Sequence, residues 1–346
     1  MKLKSVFYVF AISYCMFGCN KSTERPGNTS SYNDIYLAGS EDNASGNSIA
    51  KYWKNNTAIN LTDGSMYAEA YDIFVTDNND VYVAGYEEIG AGMEIGKYWK
   101  NGVAVNLTSG VSYGGAYSIL VNNNDVYVAG YETNLSGGFR VAKYWKNGIA
   151  VSLTDGTRSA EARDIFISGS DIYVSGFEYT GTTEVAKYWK NGAAVTLGDG
   201  IHETYASGIV VSGNDIYVSG IKYVTDYSAA YWKNGTAYDL SNGIDKAEAL
   251  GMTISGSDVY IGGYDNTNPI NDNSRAVYWK NGNPFYVSAT SDDAAAYGIA
   301  VSGNDVVVGG NTYSATNAMA TYWKNGVKTV LTTGSTDAFI NSVFLK

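Results

Sequence analysis

The chain is short of the residues that carry most recognisable chemistry. Its 346 residues include one histidine, His202, and two cysteines, Cys15 and Cys19. One imidazole cannot build a His-based metal centre, and any Ser-His-Asp triad would have to use that single side chain. With both cysteines near the start, the rest of the chain has no disulfide framework. There is no Walker-type Gly-Lys-Ser/Thr loop, no Gly-x-Ser-x-Gly elbow and no Asp-x-Asp-x-Asp-Gly calcium loop. Basic residues are in the minority, 23 against 34 acidic, giving a formal charge of −11. A phosphate backbone needs clustered Lys and Arg, so nucleic acid is not an expected partner. Proline is also scarce, with only 3 residues.

What is abundant is glycine and tyrosine. Forty Gly, 31 Tyr and 7 Trp, with many Asn-Asp, Asn-Gly and Ser-Gly pairs, describe short aromatic strands joined by tight turns. The chain reads as all-β.

The first residues read as an export signal. Met1-Lys2-Leu3-Lys4 is a basic start, and the apolar run from Ser5 to Phe17 is too short to span a bilayer as a helix. Met16-Phe17-Gly18-Cys19 resembles a bacterial lipobox, in which a small residue precedes the cysteine that is lipidated; Phe17 departs from the usual residue there. The expected division is a leader over 1–18, a lipidated Cys19 with a polar tether over 19–32, and one globular body over 33–346. The tether's thirteen residues from Asn20 would span roughly 20 Å as a flexible coil. Loss of Lys2 and Lys4 with the leader takes the formal charge from −11 to −13. The expected location is the bacterial cell envelope, at its outer membrane, with the membrane touched only through the lipid.

All seven Trp stand in one motif, Tyr-Trp-Lys-Asn-(Gly or Asn), at Trp53, Trp99, Trp145, Trp189, Trp232, Trp279 and Trp323. Repeats of 43 to 47 residues with several strand signals each are the mark of propeller blades. Taking the first complete unit, Ala70 to Val75 is strand A, Asp80 to Tyr86 strand B, Gly96 to Lys100 strand C and Val103 to Leu107 strand D. Asn101-Gly102 is a two-residue hairpin turn. Both faces of strand B are apolar, so neighbouring blades must cover both. The Trp residues then fill the wedge between sheets; the sharper reading is a set of aromatic platforms for sugars. The first unit lacks a strand A and the chain ends on a strand A without a sequel. A seven-bladed β-propeller of four antiparallel strands per blade therefore closes by joining the C-terminal strand A to the N-terminal strands B, C and D. A monomeric ring is expected.

Comparing repeats within this one chain separates two sides of the disc. The A-to-B and C-to-D turns are nearly uniform and serve turn geometry. The B-to-C and D-to-A connections differ from blade to blade, the longest running from Asp265 to Asn273, and loops on a rigid scaffold are where binding residues usually sit. Glu41, Glu87, Glu132, Glu178 and Asp265 are placed just after strand B. Glu69, Glu161 and Glu248 are placed before strand A, near the channel mouth, and Tyr179, Tyr223 and Tyr227 in the B-to-C loops. This acidic rim suits a cation such as calcium or a cationic partner; the plain alternative is a solvated rim kept soluble by charge. No cofactor and no metal ligand set is expected.

The Tyr-Trp-Lys-Asn-Gly and Asp-Val-Tyr-Val-Ala-Gly-Tyr repeats, covering residues 33 to 346, resemble repeat propellers of secreted and lipid-anchored bacterial proteins and, more distantly, kelch or tectonin-type propellers. The resemblance implies a binding or scaffold role and carries over no functional residue. The expected function is an envelope module whose variable face holds a protein or a glycan. The alternative is a carbohydrate-active enzyme, a glycoside hydrolase or lyase, using paired carboxylates at the channel mouth.

Overall fold

A computed structural model describes residues 34–346 other than 91, 244 and 267–272. The leader, Cys19 and the tether lie outside the described residues, as does most of the Asp265-to-Asn273 loop. Twenty-eight strands form seven four-stranded antiparallel sheets, each in the order A-B-C-D, and no helix occurs among the described residues. Blade one comprises strand A (Ala68–Val75), B (Val81–Glu88), C (Glu94–Lys100) and D (Val103–Asn106). Blades two to six follow in sequence, and strand A of each blade packs beside strand A of the next around the central axis.

Blade seven closes the ring. Its strand A is Ala338–Leu345, paired antiparallel with Ile35–Asp42, which continues into Ser48–Lys54 and Thr57–Asn60. The two ends are fastened by reciprocal backbone bonds between Asp34 and Lys346, at 2.9 and 3.0 Å. Closure buries edges that would otherwise stay open to other chains.

Strand A carries an irregularity in every blade that bends it around the axis. In blade one Ala70 pairs with Gly85 and Asp72 with Ala84, leaving Tyr71 as the extra residue of a β-bulge. The bulge brings the Glu69 carbonyl so close to strand B that a Cβ on Gly85 would lie 1.9 Å from it. The equivalent glycines, from Gly39 to Gly310, meet the same carbonyl at 1.8 to 2.0 Å, which is why each repeat has Gly there. All seven Trp are about 1% exposed, packed against strand B and the neighbouring sheet.

Near the axis the sheets are joined by buried charge. Asp72 accepts hydrogen bonds from the backbone of Ile73 and, in the next blade, Ile119, at 2.9 and 2.8 Å, and from the Ser342 hydroxyl of blade seven at 2.7 Å. Asp164 accepts from the Ile165 and Ile209 amides at 2.8 Å. Ser118 lies between the two carboxylates, 3.1 and 2.7 Å away. These buried carboxylates are thus supplied with donors from adjacent blades, the condition under which buried charge is tolerated.

The rest of the repeated motif builds one face. Asn101 and Gly102 have φ of 50° and 81°, as a type I′ turn requires. The Asn101 side chain accepts from the Val81 amide at 2.8 Å and donates to Asp80 at 2.8 Å. Lys100 lies 3.3 Å from Asp80 and over the Tyr82 ring at 5.2 Å. Every blade repeats the Asp-Lys-Asn clasp, from Asp34, Lys54 and Asn55 to Asp305, Lys324 and Asn325. The clasp holds each of the seven carboxylates below the usual range: the Lys donor dominates in six, and the Asn101 amide leads for Asp80.

Candidate functional site

The opposite face gathers the sequence-predicted residues, but not quite in the places expected. Glu41, Glu87, Glu132 and Glu178 lie within strand B rather than after it, because pairing with strand C continues to the end of each hairpin. Each is held by a lysine two residues before the blade Trp. Lys51 reaches Glu41 at 2.5 Å, Lys97 reaches Glu87 at 2.5 Å, Lys143 reaches Glu132 at 2.7 Å, and Lys187 pairs with Glu178. In blade four Lys222 takes the place of Glu and pairs instead with Asp239 on strand D. In blade six the position is Thr312, bonded to Thr321 at 2.9 Å. Asp265, the blade-five counterpart, is buried and accepts a 2.8 Å bond from the Tyr286 hydroxyl. This row is therefore a set of cross-strand pairs rather than an open acidic rim.

The channel mouth is different. Glu69, Glu161 and Glu248 are the second residue of strand A, which begins earlier than expected because Ala68 still pairs with Glu87, and its equivalents pair likewise. Glu161 is buried between Arg140 of blade two and Arg163, the latter at 2.8 Å. Arg140 stacks on the Tyr131 ring at 4.6 Å and Arg163 on Tyr117 at 4.8 Å. Glu248 has Lys246 at 3.8 Å, and burial pushes its carboxyl upward. Glu69 has no cationic partner among the described residues; it accepts from the Tyr67 hydroxyl at 3.3 Å, and burial raises it too. Glu94, on strand C beside it, accepts from Tyr131 at 3.1 Å and is likewise raised by burial.

These groups sit on a chain of tyrosines. Tyr67, Tyr86, Tyr71, Tyr117 and Tyr131 follow one another with ring centroids 5.6 to 6.4 Å apart, from blade one to blade two. The Tyr117 hydroxyl is fully buried and makes no hydrogen bond. Tyr179 and Tyr223 end strand B and Tyr227 begins strand C, so all three are strand residues beside short loops. Tyr179 donates to the Gly181 carbonyl at 2.9 Å, and Tyr223 meets Tyr227 edge-on at 5.6 Å.

Sequence reasoning missed Arg140, Arg163, Lys246 and Glu94. The available signal was a charge that breaks a repeat column: Arg163 takes the bulge position that Tyr71 and Tyr117 hold elsewhere.

Among the described residues no group of three or more His, Cys, Asp or Glu side chains is arranged to hold a metal ion. His202 is an exposed loop residue 2.7 Å from Asp199, whose carboxyl is held low by the His202 amide, the imidazole and the Ile201 amide. What the mouth offers is hydroxyls, aromatic edges and three carboxylates, Glu69, Glu94 and Glu248, that burial makes reluctant to ionise. Around it, loop tips expose Ile89, Val111, Leu135, Ile201 and Val224.

No protein-family model matches the chain, and no curated protein does. Solved structures do. A puromycin-hydrolyzing peptidase of Mycobacterium tuberculosis matches at 10% identity and a TM-score of 0.58, over 88% of this chain and 52% of its own. A Pyrococcus horikoshii acylaminoacyl peptidase matches at 12% identity and 0.51, over 88% and 52%. An acylaminoacyl peptidase in complex with Z-Gly-Gly-Phe-chloromethyl ketone matches at 12% and 0.54, over 88% and 51%. This chain spans about half the length of each, and at such identities the likeness speaks for the fold alone.

Proposed function

We propose that the protein is a cell-envelope binding module, held by a lipid on Cys19, that captures a protein or glycan on the face carrying the variable loops. One observation carries this reading: the two faces differ in what they leave unsatisfied. The uniform face cancels its seven Asp against seven Lys. The half-buried tyrosine–carboxylate mouth and the exposed loop tips Ile89, Val111, Leu135, Ile201 and Val224 belong to the other, while the uniform face exposes single apolar residues, Val103, Ile149 and Val327, just after its C-to-D turns. The ring begins at Asp34, on the uniform face.

The test compares the wild type with a variant whose Ile89, Val111 and Leu135 are Ser, on a glycan array and in a pull-down from envelope extract. Specific capture by the wild type and its loss in the variant is the expected result; no capture in either assay overturns the reading. Incorporation of labelled fatty acid, abolished by Cys19→Ser, tests the anchor separately.

A second reading, a carbohydrate-active enzyme, is favoured by Glu69 and Glu94, neighbouring carboxyls at the mouth whose ionisation burial opposes, the direction that glycoside cleavage requires of its acid. Hydrolysis of a chromogenic glycoside that disappears in both Glu69→Gln and Glu94→Gln would establish it.

A further inference from the structure

The seven blades repeat one design, so the chain supplies its own internal comparison. Three blades place a Glu as the second residue of strand A, with aromatic rings beside it: Glu161 in blade three, Glu248 in blade five and Glu69 in blade one. In two of them the chain delivers a cation to the same spot. Blade five uses Lys246, whose ammonium lies 3.8 Å from Glu248 and over the rings of Tyr227 and Tyr264, at 5.8 and 5.9 Å. Blade three uses Arg140 and Arg163, each ion-paired with Glu161 and each stacked on a tyrosine. A carboxylate with aromatic faces around it is a strong setting for an organic cation, because charge attraction and cation–π attraction act together where water is partly excluded.

Blade one has the carboxylate and the rings but, among the described residues, no cation paired with that carboxylate. Position 67, where blade five has Lys246, is Tyr67, and its ring joins those of Tyr71 and Tyr86 beside Glu69. Burial, together with the nearby charges of Glu94 and Asp42, opposes ionisation of Glu69, and among the described residues only the hydroxyls of Tyr71 and Tyr67, not a positive side chain, offset it. Glu69 and Tyr67 are nevertheless partly exposed, at the mouth rather than inside the sheet.

We infer that the blade-one mouth binds a lysine side chain of a protein partner, with Glu69 taking the ammonium and the Tyr67 ring, backed by the buried rings of Tyr86 and Tyr71, the methylene stem. A peptide lysine is favoured over a free amine or an amino sugar by the surroundings. Met66, next to Tyr67 in the chain, and Ile89, next to Glu88 whose amide donates to the Tyr67 carbonyl, stand exposed and would cover the apolar residues flanking such a lysine. The inference deepens the binding role proposed above and rests on it.

The test uses the full chain and NMR titration with the peptide acetyl-Val-Lys-Val-amide, its Nε-acetyl-lysine counterpart and glucosamine. The lysine peptide is expected to bind the wild type, and acetylation or Glu69→Gln to weaken it about tenfold or more. Glu132→Gln, on the same face but paired with Lys143, is expected to leave binding unchanged. Tyr67→Lys should abolish it by supplying in blade one the cation that blade five already has. Equal binding by the acetylated peptide, or by Glu69→Gln, overturns the inference, as does glucosamine binding where the peptide does not. Circular dichroism confirms that each variant is folded. Envelope capture that survives Glu69→Gln would remove this site while leaving the broader binding role intact.

Discussion

The two faces of the ring are made from the same repeat and have opposite economies. On the uniform face every polar side chain of the motif is spoken for within its own blade: Asp80 by Lys100 and Asn101, Asn101 by Val81, Lys100 by the Tyr82 ring. Each exposed ion pair adds little by itself. Its value is geometric, since it fixes the C-to-D turn against the start of strand B seven times over. On the variable face the same register yields Glu–Lys pairs in four blades and then departs from them, ending in a mouth where Glu69 and Glu94 accept from the phenols of Tyr67 and Tyr131. A repeat held by one face leaves the other free to diverge without loss of the ring.

The sharpest way to break this comparison is to remove what both faces share. Deleting residues 338 to 346 takes away strand A of blade seven and the partner of Ile35–Asp42. An open sheet edge and the loss of cooperative melting are expected, read by calorimetry and light scattering. A truncated ring melting at the wild-type temperature would refute the closure. Next in size is Gly85→Ala. Its Cβ would stand 1.9 Å from the Glu69 carbonyl, so the bulge must move, at a cost of about 3 kcal/mol in chemical denaturation. Gly102→Ala, in open space at φ 81°, should cost only about 1 kcal/mol, from backbone strain alone. Equal costs would show that the bulge carbonyl is not what demands glycine.

The ring was legible because its signals are periodic. Trp, Asn-Gly and the strand-B alternation recur often enough to count blades and to see that the ends complete each other. The mouth was not, because it is assembled from residues distant in sequence: Arg140 meets Glu161 across two blades, and Glu94 meets Tyr131. Part of the rim could have been read. Glu41, Glu87, Glu132 and Glu178 accompany a lysine before the Trp, and that lysine gives way to Ala230, Val277 and Thr321 in the blades where the Glu is replaced. The bulge that sets the direction of strand A left no such trace. It shows in sequence only as Gly85 and its equivalents, which could equally serve a turn or a close approach.

The smallest predicted effect is the most diagnostic of the difference between faces, because acid moves them in opposite directions. The clasped Asp residues have folded pKa values below their unfolded ones, so the stability they contribute is present above about pH 4 and is lost as the pH falls below it. Glu69, Glu94 and Glu248 have folded values above their unfolded ones. Their contribution is complete at low pH and is lost as the pH rises through the raised values. Melting temperature is therefore expected to climb gently as the pH falls toward the ordinary glutamate value of about 4.3 and to fall again below about pH 4. In Glu69→Gln the upper limb should flatten while the lower limb stays, because the substitution removes one reluctant carboxylate and touches no clasp. Asp80→Asn should do the reverse, and by less, since one exposed pair among seven is worth little. An upper limb unchanged in Glu69→Gln would mean that water reaches the carboxylate freely, and that the mouth is no more set apart than the rest of the rim.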